Sequence, residues 1–515
     1  MDLELSATQP TLKKILEPAV LQERLDGLRA QGKRIVQAHG VFDLLHIGHI
    51  RHLQEARAFG DVLLVTLTED RHVNKGPHRP AFPEGLRAEA MAALDVVDLV
   101  SISRFPSAVE MIELIRPHVY VKGPDYRDPG TDVSGGIGRE EQAVRAGGGE
   151  IRITEDITFS SSTLINRFLP AYSTDVQAYL DDFRSRFSAN DVRGFLDRLA
   201  GMRVVVVGEA IIDEYVYCDQ LGKSAKEPVL AMRYDSAEMF AGGSLAVANH
   251  LAGFCAEVEL VTCVGSFDGH ERFIRSNIKP NVRLNFVYKS DSPTIVKRRY
   301  VEKTLASKLF EVYFINDAPL IERDEAEFCS LLGARLQSTD AVVVSDFGHG
   351  LVTPEVKRQL ERTPVFLAVN TQINAANIRF HAISSYPRAD YICINEGELR
   401  LDARDRVAAL EPLVRDLTKK LSCERVLVTR GQRGVSYFAD GRSFDSPSFA
   451  TSVVDRVGSG DAVLALSAVC VAAGVPSEAV AFVANVIGAQ KVQVMGNRTS
   501  IDRVATHKFV EALLK

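Results

Sequence analysis

The chain has 515 residues, 46% of them hydrophobic and 25% charged, with a net charge of −6. That length predicts two or three domains with sizeable cores, and the acidic balance excludes a generic nucleic-acid binder, whose footprint would be basic. The longest nearly apolar run, Ala462 to Val475, is too short to span a bilayer and contains Ser467, so no membrane partner is expected.

No basic-flanked apolar segment opens the chain, and no signal peptide is expected. The seven cysteines lie between Cys218 and Cys470, without a C-x-x-C pair and mostly inside apolar runs. They read as reduced thiols of a cytoplasmic protein without structural zinc.

Residues 1–31 form a polar, helix-prone extension. From Arg34, apolar strand candidates (Ile35–Ala38, Val62–Leu67, Val96–Ile102, Val119–Val121, Ile151–Ile153) alternate with helix-period segments (Ile50–Phe59, Leu86–Leu94, Ala108–Ile115, Glu140–Arg145). Such alternation predicts a parallel sheet with helices on both faces over residues 32–170. Gly40 to His49 falls at the carboxyl end of the first strand, where such sheets bind ligands. Its two histidines flank Gly48 where a helix begins, and a helix N-terminus with adjacent imidazoles suits a nucleoside triphosphate. Two capping histidines are the plainer alternative for this stretch taken alone. Gly123–Gly149, rich in glycine, predicts an exposed loop. The run Ser160–Thr163 opens a helix to Leu169, either as a cap or as phosphate donors.

Residues 171–200 are charged and predict a helical connector. A second alternation starts at Met202 with the strand Val204–Val207, followed by Gly208 to Asp213. The alternating stretches Tyr215–Cys218, Val229–Tyr234, Thr294–Val301 and Leu309–Phe314 predict a small separate sheet with one solvated face. Val258–Cys263, Ala341–Val344, Val365–Val369, Tyr391–Ile394 and Val426–Thr429 predict a second parallel core. The fold class is therefore α/β, with two doubly wound parallel-sheet domains.

Gly458-Ser459-Gly460-Asp461 directly precedes the apolar helix Ala462–Ala473. Small residues admit a ligand, the helix start offers N–H groups to a phosphoryl group, and Asp461 can take the proton of an attacking hydroxyl. A plain capped helix is the alternative. Thr429 to Gly434 is a strand-then-glycine turn, Asn395 to Glu398 ends a strand with a carboxylate able to orient Mg²⁺ through water, and Gly242-Gly243 opens a helix. Each is weak alone; their order in one α/β domain is not.

In that order, residues from about 201 to 515 resemble the ribokinase-type carbohydrate kinases. The resemblance implies Asp461 as general base and Gly458, Ser459 and Gly460 as its anion hole. It implies Asp213, Gly242, Gly243, Asn249 and Lys297 on the acceptor, and Asn395, Thr429, Gly431 and Gly434 on ATP. Glu398 would reach Mg²⁺ through water, and the small sheet would be a lid used in a homodimer.

Residues from about 32 to 170 resemble the cytidylyltransferase-type nucleotidyltransferases, a Rossmann-like fold, through Gly40-x-Phe42-Asp43-x-x-His46-x-Gly48-His49, Lys75, Arg87 and Val121 to Tyr126. The resemblance implies His46, His49 and Lys75 as catalytic, and Gly40, Phe42, Asp43, Gly48, Arg87, Lys122, Ser161, Ser162 and Thr163 as nucleotide-binding. Class I aminoacyl-tRNA synthetases share the His46–His49 tetrapeptide, but neither their Lys-Met-Ser-Lys-Ser-like loop nor a basic tRNA-binding region is present.

The two halves together resemble the bifunctional ADP-heptose synthases, which implies sugar phosphates and nucleoside triphosphates as ligands. Three departures stand out. The nucleotidyltransferase comes first, Ala246 replaces an asparagine that contacts sugar, and Asn370-Thr371-Gln372 replaces Asp-Pro-Lys. They leave open a different sugar, a CTP-dependent polyol activity, or a C-terminal half that only senses or dimerises.

Overall fold

The computed structural model describes residues 11–73, 79–123, 136–155, 172–304, 306–374, 377–378 and 381–515. The chain divides into two compact units, one of residues 1–173 with 507–515 and one of residues 174–506.

The first unit is built on five parallel strands, β1 (Ile35–Gly40), β2 (Val62–Thr68), β3 (Leu99–Ser103), β4 (Val119–Lys122) and β5 (Glu150–Ile153), in the order β3-β2-β1-β4-β5. Strand residues alternate between its two faces. Val36, Leu63 and Val65 pack with Leu53, Ala56, Ala88 and Met91 of helices Ile47–Arg57 and Glu84–Ala92. Ile35, Val62 and Leu64 pack on the other face with Leu21, Leu25, Met111 and Ile115. The segment before residue 32, expected as an extension, therefore contributes to this core. Helix Pro18–Ala30 buries Leu21 and Leu25, and Leu16 donates its N–H to the Val100 carbonyl. Within the glycine-rich stretch Gly123–Gly149, the helix-period segment Glu140–Arg145 is part of helix Gly136–Ala146. Its Ala143 and Val144 are buried against Tyr120 and Ile112, a helical stripe that outweighs the glycines around it.

The second unit holds two sheets. The larger runs β10-β9-β6-β13-β14-β15-β16-β17-β18 and the smaller β12-β11-β7-β8. In chain order the strands are β6 (Arg203–Gly208), β7 (Ala210–Lys223), β8 (Leu230–Gly243), β9 (Glu257–Phe267), β10 (Val282–Pro293), β11 (Ile295–Glu302), β12 (Ser307–Phe314), β13 (Ala341–Asp346), β14 (Phe366–Thr371), β15 (Tyr391–Asn395), β16 (Val426–Thr429), β17 (Val435–Ala439) and β18 (Arg442–Ser446). From β10 to β16 the large sheet is parallel, and its β-branched centre, Val204–Val207 with Val342–Val344, is buried on both faces. Its far edge is the antiparallel pair β17–β18, joined at Asp440-Gly441, both at positive φ.

The small sheet is mixed, with β7 antiparallel to β8 and parallel to β11. The expected connector consists of helices Thr174–Arg184 and Ala189–Asp197, which belong to this unit. Phe183 stacks on Phe482 with ring centroids 4.2 Å apart. Among the described residues no helix is long and apolar enough to cross a membrane. The seven cysteines are free, and five are buried.

Candidate active sites

In the first unit, the strand order reverses at β1, between β2 and β4. Parallel sheets bind ligands beyond the strand ends at such a point, and β1 delivers Gly40 to Asp43 there. Phe42 sits at φ 46°, a left-handed conformation unfavourable for a bulky residue and retained where the surroundings fix it. Its ring meets His49 edge-on at 5.2 Å, and His49 stacks on His46 at 3.9 Å. His46 caps helix Ile47–Arg57, with Nδ1 accepting from the Gly48 N–H at 3.1 Å. That bond assigns the neutral tautomer, with the proton on Nε2, and burial lowers the His46 pKa and favours the neutral form. Nε2 is buried and has no hydrogen-bond partner among the described residues. His46 is thus both a cap and a presented donor.

Asp43 is buried and accepts from Ala81 N–H at 2.6 Å and Phe82 N–H at 3.1 Å, which fixes the loop beside the motif. Arg87, expected to bind nucleotide, is instead a brace. Its fully buried guanidinium donates to the carbonyls of Val41, Thr68 and Phe82 and pairs with Asp70 at 2.6 Å. The Val41 contact is buried, and a backbone carbonyl there needs a donor, which suits a cation committed to the backbone.

Lys122 ends β4 next to β1 and pairs with Glu140 at 2.6 Å. His39 and His52 lie near it, bonded to Thr66 and Thr154. Burial first, and the Lys122 charge second, lower their pKa values to about 3 and about 4. Lys75, Ser161, Ser162 and Thr163 lie outside the described residues.

In the second unit, Asp213 on β7 is buried. Its Oδ1 pairs with Arg299 Nη1, and its Oδ2 accepts from Asn497 Nδ2 at 3.4 Å. A side chain at Gly242 would put its Cβ 2.2 Å from Asp213 Oδ2, so only glycine fits. Lys297, two residues from Arg299 on β11, is 5% exposed. Its Nζ lies 5.3 Å from the Tyr313 ring centre and 5.5 Å from that of Phe347. Burial lowers its pKa, and Asp213 opposes that shift.

Asp461 stands in the first turn of helix Ser459–Ala472, whose residues Asp461 to Val471 are buried. Gly458 precedes it in the left-handed region at φ +76°. Burial, then repulsion from Asp213, pushes the Asp461 pKa up to about 7, against the pull of Lys491 and Lys297. A buried carboxyl poised near neutrality at a helix N-terminus can take a proton while the helix end receives an anion.

The expected nucleotide side is less open. Asn395 and Glu398 form a reciprocal capping box, and Glu398 also accepts from the Ile373 N–H at 3.1 Å. Burial nevertheless pushes Glu398 up to about 7. Each carboxylate oxygen therefore already holds one backbone donor, and a contact to metal would use the remaining lone pairs. Among the described residues no three His, Cys, Asp or Glu side chains cluster as a metal cage. Register sets Thr429 opposite Asn395 at the ends of β16 and β15. Gly431 and Gly434 close the β16–β17 hairpin at positive φ, and a Cβ at Gly434 would meet the Ser446 carbonyl at 2.0 Å.

Asn249, expected on the acceptor, is a loop clamp instead. Its amide donates to the Asn277 carbonyl at 2.8 Å and accepts from the Lys279 N–H at 2.9 Å. The residues missed from sequence are Arg299, Asn497, Asp455 and Lys308. Asp455 accepts from Tyr215 at 2.6 Å and pairs with Lys308 of the lid, three residues before Gly458. A partner for Asp213 could have been sought among cations of the lid strands; Asn497, 284 residues away, leaves no local signal.

Residues 38–168 match the cytidylyltransferase-like family. Over a stretch that includes the cytidylyltransferase-like part, the chain is 39% identical across 163 residues to the bifunctional protein HldE of Pelobacter propionicus, covering 31% of this chain and 32% of that one. It is 41% identical across 157 residues to the bifunctional protein HldE of Koribacter versatilis, covering 30% and 31%. The matched stretch thus spans about a third of these relatives' length. A mutant form of phosphofructokinase-2 from Escherichia coli shares the fold of the second unit, with a TM-score of 0.50 and 14% identity over 61% of this chain and 100% of that one. Residues 202–503, more than half of the chain, match the pfkB family carbohydrate kinase, and the chain belongs to that family.

Proposed function

We propose that the chain is a bifunctional transferase of nucleotide-sugar synthesis. Its second unit phosphorylates a sugar or sugar phosphate with ATP, and its first couples a sugar 1-phosphate to a nucleotide with release of pyrophosphate. A heptose is the favoured sugar and ADP-heptose the favoured product.

The observation that carries the kinase reading is Asp461, 6% exposed, poised near neutrality and preceded by Gly458–Gly460. The acceptor hydroxyl, oriented by Asp213, gives its proton to Asp461 as its oxygen attacks the γ-phosphorus. ADP leaves, and the helix N-terminus receives charge from the transferred group. Mg²⁺ would be held mainly by the nucleotide phosphates, with Glu398 reaching it through water, and when bound it neutralises charge on the phosphate chain.

In the first unit a sugar 1-phosphate oxygen attacks the α-phosphorus and pyrophosphate leaves. His46 Nε2–H donates to the oxygen that gains charge, and His49 stacks behind it. Lys75 and Ser161–Thr163 would hold the outgoing phosphates. Exposed apolar side chains on the lid, among them Leu230, Tyr234 and Phe310, support a homodimer through that sheet.

Asn370 favours a second reading of the acceptor. Its amide donates to the Cys393 carbonyl at 2.7 Å, and no cation stands at 370–372 to take a distal phosphate. The same two activities on another sugar, or on a polyol with CTP, are that reading. A kinase half that only senses or dimerises is opposed by Asp461.

Pyrophosphate release with ATP, CTP, GTP and UTP against a panel of sugar 1-phosphates tests the first unit. Phosphoryl transfer from labelled ATP to sugars and sugar phosphates tests the second. Absence of any acceptor whose turnover depends on Asp461 would overturn the kinase reading.

A further inference from the structure

Asn497 is held more firmly than a loop residue needs to be. Gly496 before it lies at φ +50°, its N–H donates to Asp455 Oδ2 at 2.9 Å, and its carbonyl accepts from Lys491 Nζ. At the far end of the loop, the Ile501 N–H donates to buried His250 Nδ1 at 3.0 Å. Pinned at both ends, the loop fixes the Asn497 amide between two parts of the kinase site. Nδ2 donates to Asp213 Oδ2, and Oδ1 lies 2.3 Å from where a Gly458 Cβ would stand. That Oδ1 is buried and has no hydrogen-bond partner among the described residues. A buried acceptor without a donor is costly, and such atoms recur where a ligand completes them.

Asn497 also lines a cavity of about 380 Å³ together with Phe240, His250, Lys279 and Ala246. Ala246 stands two residues into helix Ser244–Leu251 and brings no polar atom to this wall. Asn249, on the same wall, has both ends of its amide committed to the 277–279 loop.

We propose that Asn497 is the acceptor-positioning carboxamide of the kinase site. Its Nδ2 orients Asp213 and its Oδ1 takes a hydroxyl of a polyhydroxylated acceptor, supplying from the C-terminal loop the group that position 246 lacks. The inference rests on the kinase reading of this unit and deepens it. A neutral amide that donates and accepts reads a hydroxyl, and it does so without adding charge beside Asp213 and Asp461.

The test is steady-state phosphoryl transfer by the full chain, with the acceptor that the wild type turns over best. Asn497→Ala is expected to raise the acceptor KM on the order of tenfold, with the KM for ATP and the melting temperature unchanged. Asn497→Asp, which sets a second carboxylate against Asp213, is expected to lose more. Adding Ala246→Asn to Asn497→Ala is expected to restore part of the acceptor KM, which a purely structural residue would not allow. If the wild type transfers phosphoryl to no acceptor, the kinase reading and this inference fall together. If the wild type is active and Asn497→Ala keeps its acceptor KM within about twofold, or raises both KM values alike, this inference alone is overturned.

Discussion

Asp461→Asn separates chemistry from stability because the two respond to pH in opposite ways. The Asp461 carboxyl titrates at about 7 in the fold against 3.8 ordinarily. The folded state therefore binds its proton more tightly than the unfolded chain does. The sign follows: below about pH 4 both states are protonated, and the carboxyl carries no penalty. As pH rises from 4 to 7 the unfolded chain loses the proton first, and the native state becomes progressively less stable. At 1.36 kcal/mol per unit, the loss reaches at most about 4 kcal/mol above pH 7. Asparagine does not titrate, so the variant should gain on the wild type across that window and hold its gain at pH 8. Urea unfolding of the second unit at pH 5, 6, 7 and 8, followed by a probe in that unit, measures the difference. Phosphoryl transfer should meanwhile fall by roughly 10²–10⁴. In the wild type, kcat/KM should decline as pH drops through about 7, where the base becomes protonated. A stability difference between variant and wild type that stays flat from pH 5 to 8 would refute the assignment of a raised pKa to this carboxyl.

Other variants probe other parts of the molecule. His46→Ala and His49→Ala should each slow pyrophosphate release on the order of a hundredfold, about 3 kcal/mol of barrier, with far-ultraviolet circular dichroism unchanged; near-wild-type release in both would contradict the site. Arg299→Met leaves buried Asp213 without its cation and should destabilise the second unit by roughly 3 kcal/mol in urea. A loss below about 1 kcal/mol would show that the pair is dispensable. Phe183→Ala removes a ring fully buried against Phe482 and should cost about 3 kcal/mol. An unchanged melt would mean that helix Thr174–Arg184 contributes no stability.

Local pattern carried much of this molecule. Valine runs buried on both faces marked β6 and β13, and His46 to His49 sat at a strand end because the strand before it was plainly apolar. The hairpin β17–β18 was missed although Asp440-Gly441 is a strong turn signal flanked by alternating residues. Its short strands follow a glycine-rich turn that had been read for nucleotide chemistry. β10 was missed because its exposure follows no period of two. The histidine motif and Asp461 were legible in position, since each lies in its own turn or helix start. The backbone bonds of Asn249 and Arg87 were not legible, because residue type alone cannot tell whether a polar group faces ligand or backbone. Asn497, Arg299 and Lys308 depend on contacts that cross the lid or most of the domain, and no periodicity encodes such pairings.

The cysteines offer a use of their own. All seven fall between residues 218 and 470, inside the second unit, and burial raises every thiol pKa, those of Cys255, Cys393, Cys423 and Cys470 to about 12. The five buried thiols, Cys218, Cys255, Cys393, Cys423 and Cys470, do not ionise at neutral pH and react with alkylating reagents as the fold opens around them. Labelling kinetics of the unmodified protein thus constitute a native clock for the opening of the kinase unit. The nucleotidyltransferase unit stays silent in that assay, so nucleotide protection measured by alkylation can be assigned to one of two sites without a single mutation.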